Sequence, residues 1–484
     1  MGGVPHPGQG QVGGLNRANY DVRVTAPKAL DTPTKPPGIF NSAYRTATLG
    51  ILLVVTLIAF EGMSVGVVMP SVADELNALD LYGISFSAFL IASLFMNVVA
   101  GLWSDRRGYP APFLAGVVLF AAGMALAGAA SSAGMFLLAR AVQGLGGGSA
   151  IVALYVMIAR VYPADIRPKA FAAISAAWVV PAMVGPSVAG FVGDTWGWRY
   201  VFYGIVPLVV PALVMLVPAL RMGSEHEAEP ATGPRSKPVA MTLAATATAG
   251  GAGLLLYGVD GLHRDALPAA LESAAGLALL VFGLYRLLPP GALLLRRGLP
   301  TTVLMRGFFS ASFFGVNSFI PLALQEVKDF DTTSAGIALT TGALGWSAGA
   351  YLQARHSTDA HKRIRLGAGC VTTGILVSLL SVLPGVTGWI AVPAWIIAGL
   401  GMGYGITTVN VTALKQSPLN EQGANSAALS VSDQFGSALS VGIGGALVNV
   451  IGHAPSQIAT GFLVISGLMA AIAFSGTLLA GRTR

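Results

Sequence analysis

Charged residues are scarce in this chain. Asp, Glu, Lys and Arg make up 10% of its 484 residues, whereas soluble domains average roughly 25%. Hydrophobic residues make up 54%. The length alone would suit about three soluble domains, but a chain with so few charges and with long apolar runs cannot keep most of its surface in water. The composition therefore predicts an integral membrane protein.

Several reactive groups are also lacking. The single cysteine, Cys370, excludes an intramolecular disulfide. No cluster of His and Cys suggests a metal site, and no Walker A sequence suggests that ATP drives the protein. The repeat Gly399-x-Gly401-x-Gly403-x-Gly405 resembles a phosphate loop, but no strand precedes it, and glycines inside an apolar run are typical of close helix packing. We expect no cofactor, no metal and no enzymatic activity.

The start of the chain lacks an apolar core. Residues 1–45 are rich in Gly, Pro and polar residues, whereas a cleavable signal peptide needs an apolar stretch. We therefore expect no such peptide, and the first hydrophobic helix would act as an uncleaved targeting signal. The composition predicts that residues 1–45 form a disordered cytoplasmic tail.

Fourteen apolar runs are long enough to be transmembrane helices, which need about 20 mostly apolar residues. The first six, in a bundle at 46–220, lie near 48–70, 83–103, 111–130, 134–158, 169–192 and 199–220. A polar linker at 221–238 precedes an inserted pair at 239–288, near 239–257 and 266–287. The last six, in a second bundle with a short tail at 289–484, lie near 301–324, 333–353, 366–385, 388–412, 423–451 and 457–480. The run 239–257 is the weakest, and twelve spans would remain if the inserted pair did not cross.

The basic residues support this map. With the N-terminus placed in the cytoplasm, 23 of the 28 Lys and Arg residues fall on the cytoplasmic side and three on the other side. This asymmetry follows the positive-inside rule. We therefore expect a multi-pass protein of the cell membrane with both termini in the cytoplasm. The same asymmetry accounts for the net charge of +7 without a nucleic-acid partner.

The loop after the second run carries the most specific motif, Gly101-Leu-Trp-Ser-Asp-Arg-Arg-Gly108-Tyr-Pro. It resembles the signature of the major facilitator superfamily, Gly-x-Leu-Ala/Ser-Asp-Arg/Lys-x-Gly with two basic residues after it. The resemblance implies that Asp105 and Arg106 act in a cytoplasmic gate, while Gly101 and Gly108 allow close helix approach and a tight turn. The alternative is an ordinary charged turn. The matching residues are Gly101, Ser104, Asp105, Arg106 and Gly108, and the departures are Trp103, Tyr109 and Pro110.

The fourth run contains Arg140-Ala-Val-Gln143-Gly144, which resembles a second motif of the same superfamily, Arg-x-x-Gln-Gly. An arginine in the centre of a membrane helix costs about 2.5–3.5 kcal/mol on insertion scales, so it must face a partner or a wet cavity. The resemblance links Arg140 to proton movement. The alternative is a structural arginine that is bonded to backbone carbonyls or to Gln143.

The fifth run contains Pro181-Ala-Met-Val-Gly185-Pro186-Ser-Val-Ala-Gly190. It resembles the antiporter motif of the superfamily, Gly-x-x-x-Gly-Pro-x-x-Gly-Gly, although Pro181 departs from that pattern, as does Ala189. Small residues allow a neighbouring helix to approach closely, and Pro186 is expected to bend the helix. In the family this motif favours export over uptake.

Three acids interrupt apolar runs: Glu61, Glu272 and Asp433. A carboxyl group that is shielded from water binds a proton more readily, and one that is exposed to each side in turn can couple proton flow to transport. Drug exporters that resemble this chain often carry an acid in the first helix, where Glu61 stands. We therefore expect Glu61, Asp433 and Arg140 to couple protons; a structural hydrogen-bonded acid is the alternative. Glu272 is expected to reach the membrane interface.

The resemblance points to the fourteen-helix drug:proton antiporter branch of the superfamily. It implies an all-α membrane fold of two six-helix bundles built from inverted repeats, with two extra helices between them and a substrate site between the bundles near the midplane. We expect a monomer that exports amphipathic or toxic small molecules by alternating access in a lipid bilayer, driven by protons. The candidate cavity residues, chosen from the polarity inside apolar runs and not from geometry, are Met63, Gln143, Asn317, Asn410 and Gln434.

Two other functions fit the same composition. Within transporters, the substrate would be an endogenous metabolite or lipid. In a different class, the protein would be a non-transporting membrane sensor or assembly partner, which would need a sizeable soluble domain for signalling or docking. The tail of 45 residues and the short loops offer no such domain.

Overall fold

The computed structural model describes residues 2–3, 38–42, 44–163, 165–225, 238–261, 265–355, 358–418 and 421–484. Helices make up most of these residues, and no β-strand occurs among them. The predicted tail, 1–45, lies for the most part outside the described residues, and so does the predicted linker, 221–238.

Sixteen α-helices follow one another along this part of the chain. The first seven are α1 (Arg45–Glu75), α2 (Tyr82–Arg107), α3 (Pro110–Gly128), α4 (Ala133–Val161), α5 (Arg167–Trp196), α6 (Arg199–Tyr203) and α7 (Val206–Glu225). Next come α8 (Pro238–Gly261) and α9 (Ala266–Leu287). The last seven are α10 (Leu299–Asn317), α11 (Ile320–Lys328), α12 (Thr332–Arg355), α13 (Ala360–Ser378), α14 (Ala391–Gln416), α15 (Gln422–Ile451) and α16 (Pro455–Leu479).

All fourteen predicted runs lie on these helices, and two runs are interrupted. The sixth run is divided into α6 and α7, and the ninth into α10 and α11. The second break immediately precedes Pro321, which has no N–H to continue the helical hydrogen bonds. Thirteen described helices, with these pairs each counted once, are long and apolar enough to cross a membrane. The fourteenth helix, α12, is long enough, but its Thr, Ser and Gly residues lower its mean hydropathy. The all-helical membrane fold is therefore confirmed.

The two bundles follow the same packing plan. In the first bundle α1 packs against α5 and α7, while α4 packs against α2 and α3. In the second bundle α10 packs against α15 and α16, while α14 packs against α12 and α13. Each pairing in the second bundle repeats one in the first, with α10 in the place of α1. The bundles meet along two seams, α5 with α12 and α2 with α15. In the pairings above, α15 takes the place of α5 and α12 takes the place of α2. Replacing each helix by its counterpart therefore turns one seam into the other.

The inserted helices lie beside one of the seams. Helices α8 and α9 pack closely against each other, and α8 also contacts α2 and α15. Asn449 of α15 donates from Nδ2 to the Asp260 carboxylate of α8 at 2.6 Å and to the Asp80 carbonyl oxygen, just before α2, at 2.7 Å. The inserted pair is therefore attached to both bundles.

Helix α14 contains the glycine repeat, and its glycines lie in helix contacts. A Cβ at Gly403 would overlap the carbonyl oxygen of Trp346 in α12, and a Cβ at Gly401 would lie 2.5 Å from the carbonyl oxygen of Gly367 in α13. Backbone approaches this close are possible only where the side chain is a hydrogen atom. The prediction that this repeat is a packing surface is confirmed.

This packing predicts the effect of a single added methyl group. Gly403→Ala would destabilise the protein by about 1–3 kcal/mol because the methyl group forces α14 away from α12. The matched control is Gly369→Ala on α13, where an added Cβ meets no atom within 4 Å and alanine favours the helix. Thermal unfolding of the purified protein in detergent would show a lower midpoint for Gly403→Ala alone. Equal midpoints for the two variants would contradict this packing.

Candidate functional site

The hydrogen bonds that join the two bundles concentrate at one end of the molecule. At the start of α2, the Tyr82 hydroxyl donates to the carbonyl oxygen of Ser318, between α10 and α11 of the other bundle, at 2.7 Å. A Cβ at Gly83 would lie 2.5 Å from the Cα of Gly445, so the two backbones are in direct contact. We call this end, where α1 ends and α2 begins, the closed end.

The α5–α12 seam is tied at the same end. Asp194 of α5 accepts hydrogen bonds from the backbone N–H groups of Thr332 and Thr333, at 3.3 and 2.9 Å, and from the Thr333 hydroxyl at 2.6 Å. The carboxylate thereby caps the first turn of α12 from the other bundle, and its negative charge interacts favourably with the positive end of the α12 dipole. A Cβ at Gly190 would lie 2.7 Å from the Thr332 carbonyl oxygen, so this residue of the predicted antiporter motif lies in the seam.

The other residues of the predicted antiporter motif also lie in close packing. A Cβ at Gly185 would lie 2.8 Å from the Ser64 hydroxyl of α1, and the Pro186 carbonyl oxygen lies against Gly336 of α12. Pro181 is buried, and α5 continues through both prolines. This helix therefore packs against α1 of its own bundle and against α12 of the other.

The first bundle contains a buried acid–arginine pair that joins three helices. Arg140 Nη1 of α4 donates to Glu61 Oε1 of α1, and also to Gln143 Oε1 at 2.5 Å. Arg140 Nε donates to the Ser85 carbonyl oxygen of α2 at 3.4 Å, and the guanidinium lies 4.8 Å from the centre of the Phe89 ring. The side chains of the pair are 0% and 4% exposed. Arg140 therefore makes the contacts expected of a structural arginine, to a backbone carbonyl oxygen and to Gln143. It also has an acid partner, Glu61.

The Glu61 carboxylate has one oxygen to spare. Its Oε2 is buried and has no hydrogen-bond partner among the described residues. A buried acceptor without a donor is costly. Glu61 therefore has one oxygen paired with Arg140 and a second, buried oxygen that lacks a donor within the described part of the chain.

The second bundle contains a second acid–arginine pair, which is reached by solvent. Arg306 of α10 donates from Nε and Nη2 to the two oxygens of Asp433 on α15, at 2.9 and 3.2 Å. Its Nη1 donates to Asn410 Oδ1 of α14 at 2.9 Å, and the Ser310 hydroxyl donates to Asp433 Oδ1. The side chains of Arg306 and Asp433 are 22% and 25% exposed.

Sequence reasoning missed Arg306 and Ser310 as site residues. Arg306 interrupts an apolar run in the same way as Arg140, so the same signal was available for it. Ser310 lies one helical turn after Arg306 on α10 and therefore on the same face. The two acids, by contrast, were found from the sequence.

The remaining predicted cavity residues have different surroundings. Met63 and Gln434 are half-buried, and the Gln434 Oε1 atom is buried without a hydrogen-bond partner in the described part of the chain. Asn317 Oδ1 accepts a hydrogen bond from Trp395 Nε1 at 2.9 Å. This bond connects α10 to α14, so the side-chain oxygen of Asn317 is hydrogen-bonded within its own bundle.

The predicted gate residues lie at the end of the molecule opposite to the closed end. We call it the basic end. Gly108 terminates α2 with a φ of 77°, a conformation that glycine adopts readily. Asp105 and Arg106 are exposed there, and Asp105 interacts electrostatically with Arg160 of α4. Gly101 faces α4.

The departure of Tyr109 from the family signature has a local reason. Its ring is buried, and its hydroxyl donates to the Ala219 carbonyl oxygen of α7 at 2.6 Å. The family signature has a basic residue at this position. Here Tyr109 instead connects the start of α3 to the sixth span.

Comparison with known proteins agrees with this architecture. The family model of the Major Facilitator Superfamily matches residues 51–441. Multidrug resistance protein 3 of Bacillus subtilis (strain 168) is 22% identical over 428 residues, which cover 86% of this chain and 81% of that protein. The Acurin A biosynthesis cluster MFS-type transporter of Aspergillus aculeatus is 27% identical over 311 residues, which cover 60% of this chain and 54% of that protein. The match thus spans little more than half of the fungal relative.

A solved structure has the same fold. A POT family transporter in complex with 5-aminolevulinic acid superposes with a TM-score of 0.66 and 13% identity, over 91% of this chain and 96% of that one. The family match over most of the chain, the two bundles and the shared fold lead to one conclusion. This chain belongs to the Major Facilitator Superfamily of membrane transporters.

Proposed function

We propose that the protein is a proton-coupled secondary transporter that exports amphipathic drugs or other toxic compounds from the cell. The observation that carries the proposal is the buried Glu61–Arg140 pair, in which one carboxylate oxygen has no hydrogen-bond partner among the described residues. The name of the Bacillus subtilis relative, a multidrug resistance protein, supports export of drugs. Protons, a small-molecule substrate and the bilayer are the proposed partners of a monomer.

The pair gives the proton a route to the seam between the bundles. A proton on Glu61 removes the charge that balances Arg140, and an unbalanced buried charge costs about 3–5 kcal/mol. Arg140 also binds the Ser85 carbonyl oxygen of α2. Two residues further on, the Ser87 hydroxyl donates across the seam to the Ala438 carbonyl oxygen at 2.8 Å. Protonation would therefore disturb α2 where it holds the closed end together.

The distribution of basic residues gives the proposed orientation. The helix ends and loops on the side of the basic end carry most of the Lys and Arg residues, and the positive-inside rule supports a cytoplasmic location for that end. In that orientation the closed end faces outward, and substrate enters from the cytoplasm. Asp105 and Arg106 would pair with the second bundle when the basic end closes in its turn.

Export of an endogenous metabolite is the second candidate function. The name of the Aspergillus aculeatus relative places that protein in the biosynthesis cluster of acurin A. A transporter of this kind would use the same proton site with a single physiological substrate. A screen of expressing cells against a varied panel of compounds, with and without a proton uncoupler, distinguishes broad from narrow export.

Removal of the acid at position 61 tests the proton site. Glu61→Gln keeps the hydrogen bond to Arg140 but cannot change its charge, so efflux of a panel compound from proteoliposomes should no longer respond to a pH gradient. The matched control is Glu272→Gln, because Glu272 lies on α9 in the inserted pair. That variant should retain gradient-driven efflux. If Glu61→Gln still exports in response to the gradient, proton coupling at this site is wrong.

Removal of the charge at position 105 tests the gate. Asp105→Asn should lower the export rate by about fivefold, because the loss of about 1 kcal/mol of pairing reduces the population in which the basic end is closed. Substrate affinity measured by equilibrium binding should be unchanged. The control is Asp165→Asn, since Asp165 is also exposed at the basic end but lies outside the motif. Equal export rates for the two variants would exclude Asp105 from the gate.

A further inference from the structure

Arg306 has hydrogen-bonding capacity that its neighbours do not use. A guanidinium carries five N–H donors. The bonds to Asp433 and Asn410 engage one N–H on each of its three nitrogens, which leaves one donor on Nη1 and one on Nη2. The side chain is 22% exposed. Nη1 and Nη2 are the two terminal nitrogens of one planar group, and unused donors on both of them suit an anionic group, which accepts charge-assisted hydrogen bonds.

An aromatic pair of the first bundle lies within reach of this group. Tyr155 of α4 is 43% exposed and interacts electrostatically with Arg306. Its ring lies 5.9 Å from that of Phe171 on α5, with an angle of 53° between the two planes, and Phe171 is 40% exposed. Tyr155 is therefore an exposed aromatic side chain of the first bundle that is close enough to Arg306 of the second bundle to interact with its charge.

The acids near the middle of the bundle helices are already neutralised. Glu61 is buried against Arg140, and Asp433 accepts bonds from Arg306 and Ser310. A cationic substrate would have to displace an arginine from its acid, and breaking such a pair by removing one partner is costly. An anion can bind without breaking the pair, because Arg306 has two donors beyond those it already uses.

We infer that Arg306 is a substrate-binding residue that takes the negatively charged group of an aromatic acid. Asn410 and Asp433 hold its guanidinium in place, and Tyr155 and Phe171 contact the aromatic body of the substrate from the other bundle. This inference rests on the proposed export function and names its substrate class. The two pairs then have different roles, since Glu61 with Arg140 binds the proton and Arg306 with Asp433 binds the substrate.

Two dyes with the same ring system and opposite charge test the inference. Fluorescein is an anion and rhodamine 6G is a cation, and both report binding to the full-length protein in detergent by fluorescence polarisation. The wild type should bind fluorescein more tightly than rhodamine 6G. Arg306→Gln should weaken fluorescein binding by about tenfold to a hundredfold, the effect of losing a charged hydrogen-bond partner. Arg306→Lys keeps the charge without the paired donors, and its affinity should lie between the two.

The acid partner should have the opposite effect. Asp433→Asn frees Arg306 and should tighten fluorescein binding, whereas a residue that only supports the fold would weaken both dyes when either partner is changed. The control is Arg286→Gln, because the Arg286 guanidinium lies over the Phe282 ring of α9, 5.6 Å from its centre and outside the bundles. That variant should bind both dyes as the wild type does.

Several results would overturn the inference. They are tighter binding of rhodamine 6G by the wild type, unchanged fluorescein binding by Arg306→Gln, weakening of both dyes by both partner variants, and binding of neither dye. None of these results bears on the proton site, since the binding assay uses no pH gradient. The proposed export function is decided separately by the gradient response of Glu61→Gln and by the compound panel.

Discussion

The structure depends on the cost of placing an arginine in a medium without water. Arg140 and Arg306 lie inside helices that are otherwise apolar, and a charge there must be balanced or wetted. Each has an acid partner on another helix of its own bundle, α1 for Arg140 and α15 for Arg306. The two pairs thus determine which faces of α1, α4, α10 and α15 turn toward one another. Helix packing that would separate either pair is excluded by the same cost.

The repeat relation between the bundles makes the two pairs comparable. Helix α10 takes the place of α1 in the second bundle, and α15 takes that of α5. The acid lies on α1 in the first bundle, but the arginine lies on α10 in the second, so charge is inverted between equivalent helices. Exposure differs as well, with at most 4% in the first pair and at least 22% in the second. Two similar bundles have therefore acquired different charge chemistry.

Much of the fold was predictable because each membrane helix can be recognised from its own run of apolar residues. Each apolar run contains its own signal, so all fourteen positions were found, including α12, whose low hydropathy reflects its place between α5 and α14. The break in the ninth run was missed because an apolar run continues across Ser318 even where the helix does not. The pairing of Glu61 with Arg140 was also out of reach. These residues are 79 positions apart, and only the packing of α1 against α4 brings them together.

The closed end shows how much of the site lies outside any motif. Gly190 was selected as a motif residue, but the bonds that hold its seam come from Asp194, one turn later on α5, which no signature includes. A cap shared between two bundles is recognisable only when both helices are in place.

The inserted pair adds a constraint on the other seam. Helix α8 contacts both α2 and α15, and Leu256 of α8 occupies the space in which Gly442 of α15 would place a side chain. If the closed end is to open, α2 and α15 must separate, and α8 has to leave one of them or bend. Asn449 of α15 binds Asp260 of α8 as well as the carbonyl oxygen of Asp80 just before α2, so separation of α2 from α15 also has to break the second of these hydrogen bonds. The physical expectation is that the inserted pair restrains the opening of this seam.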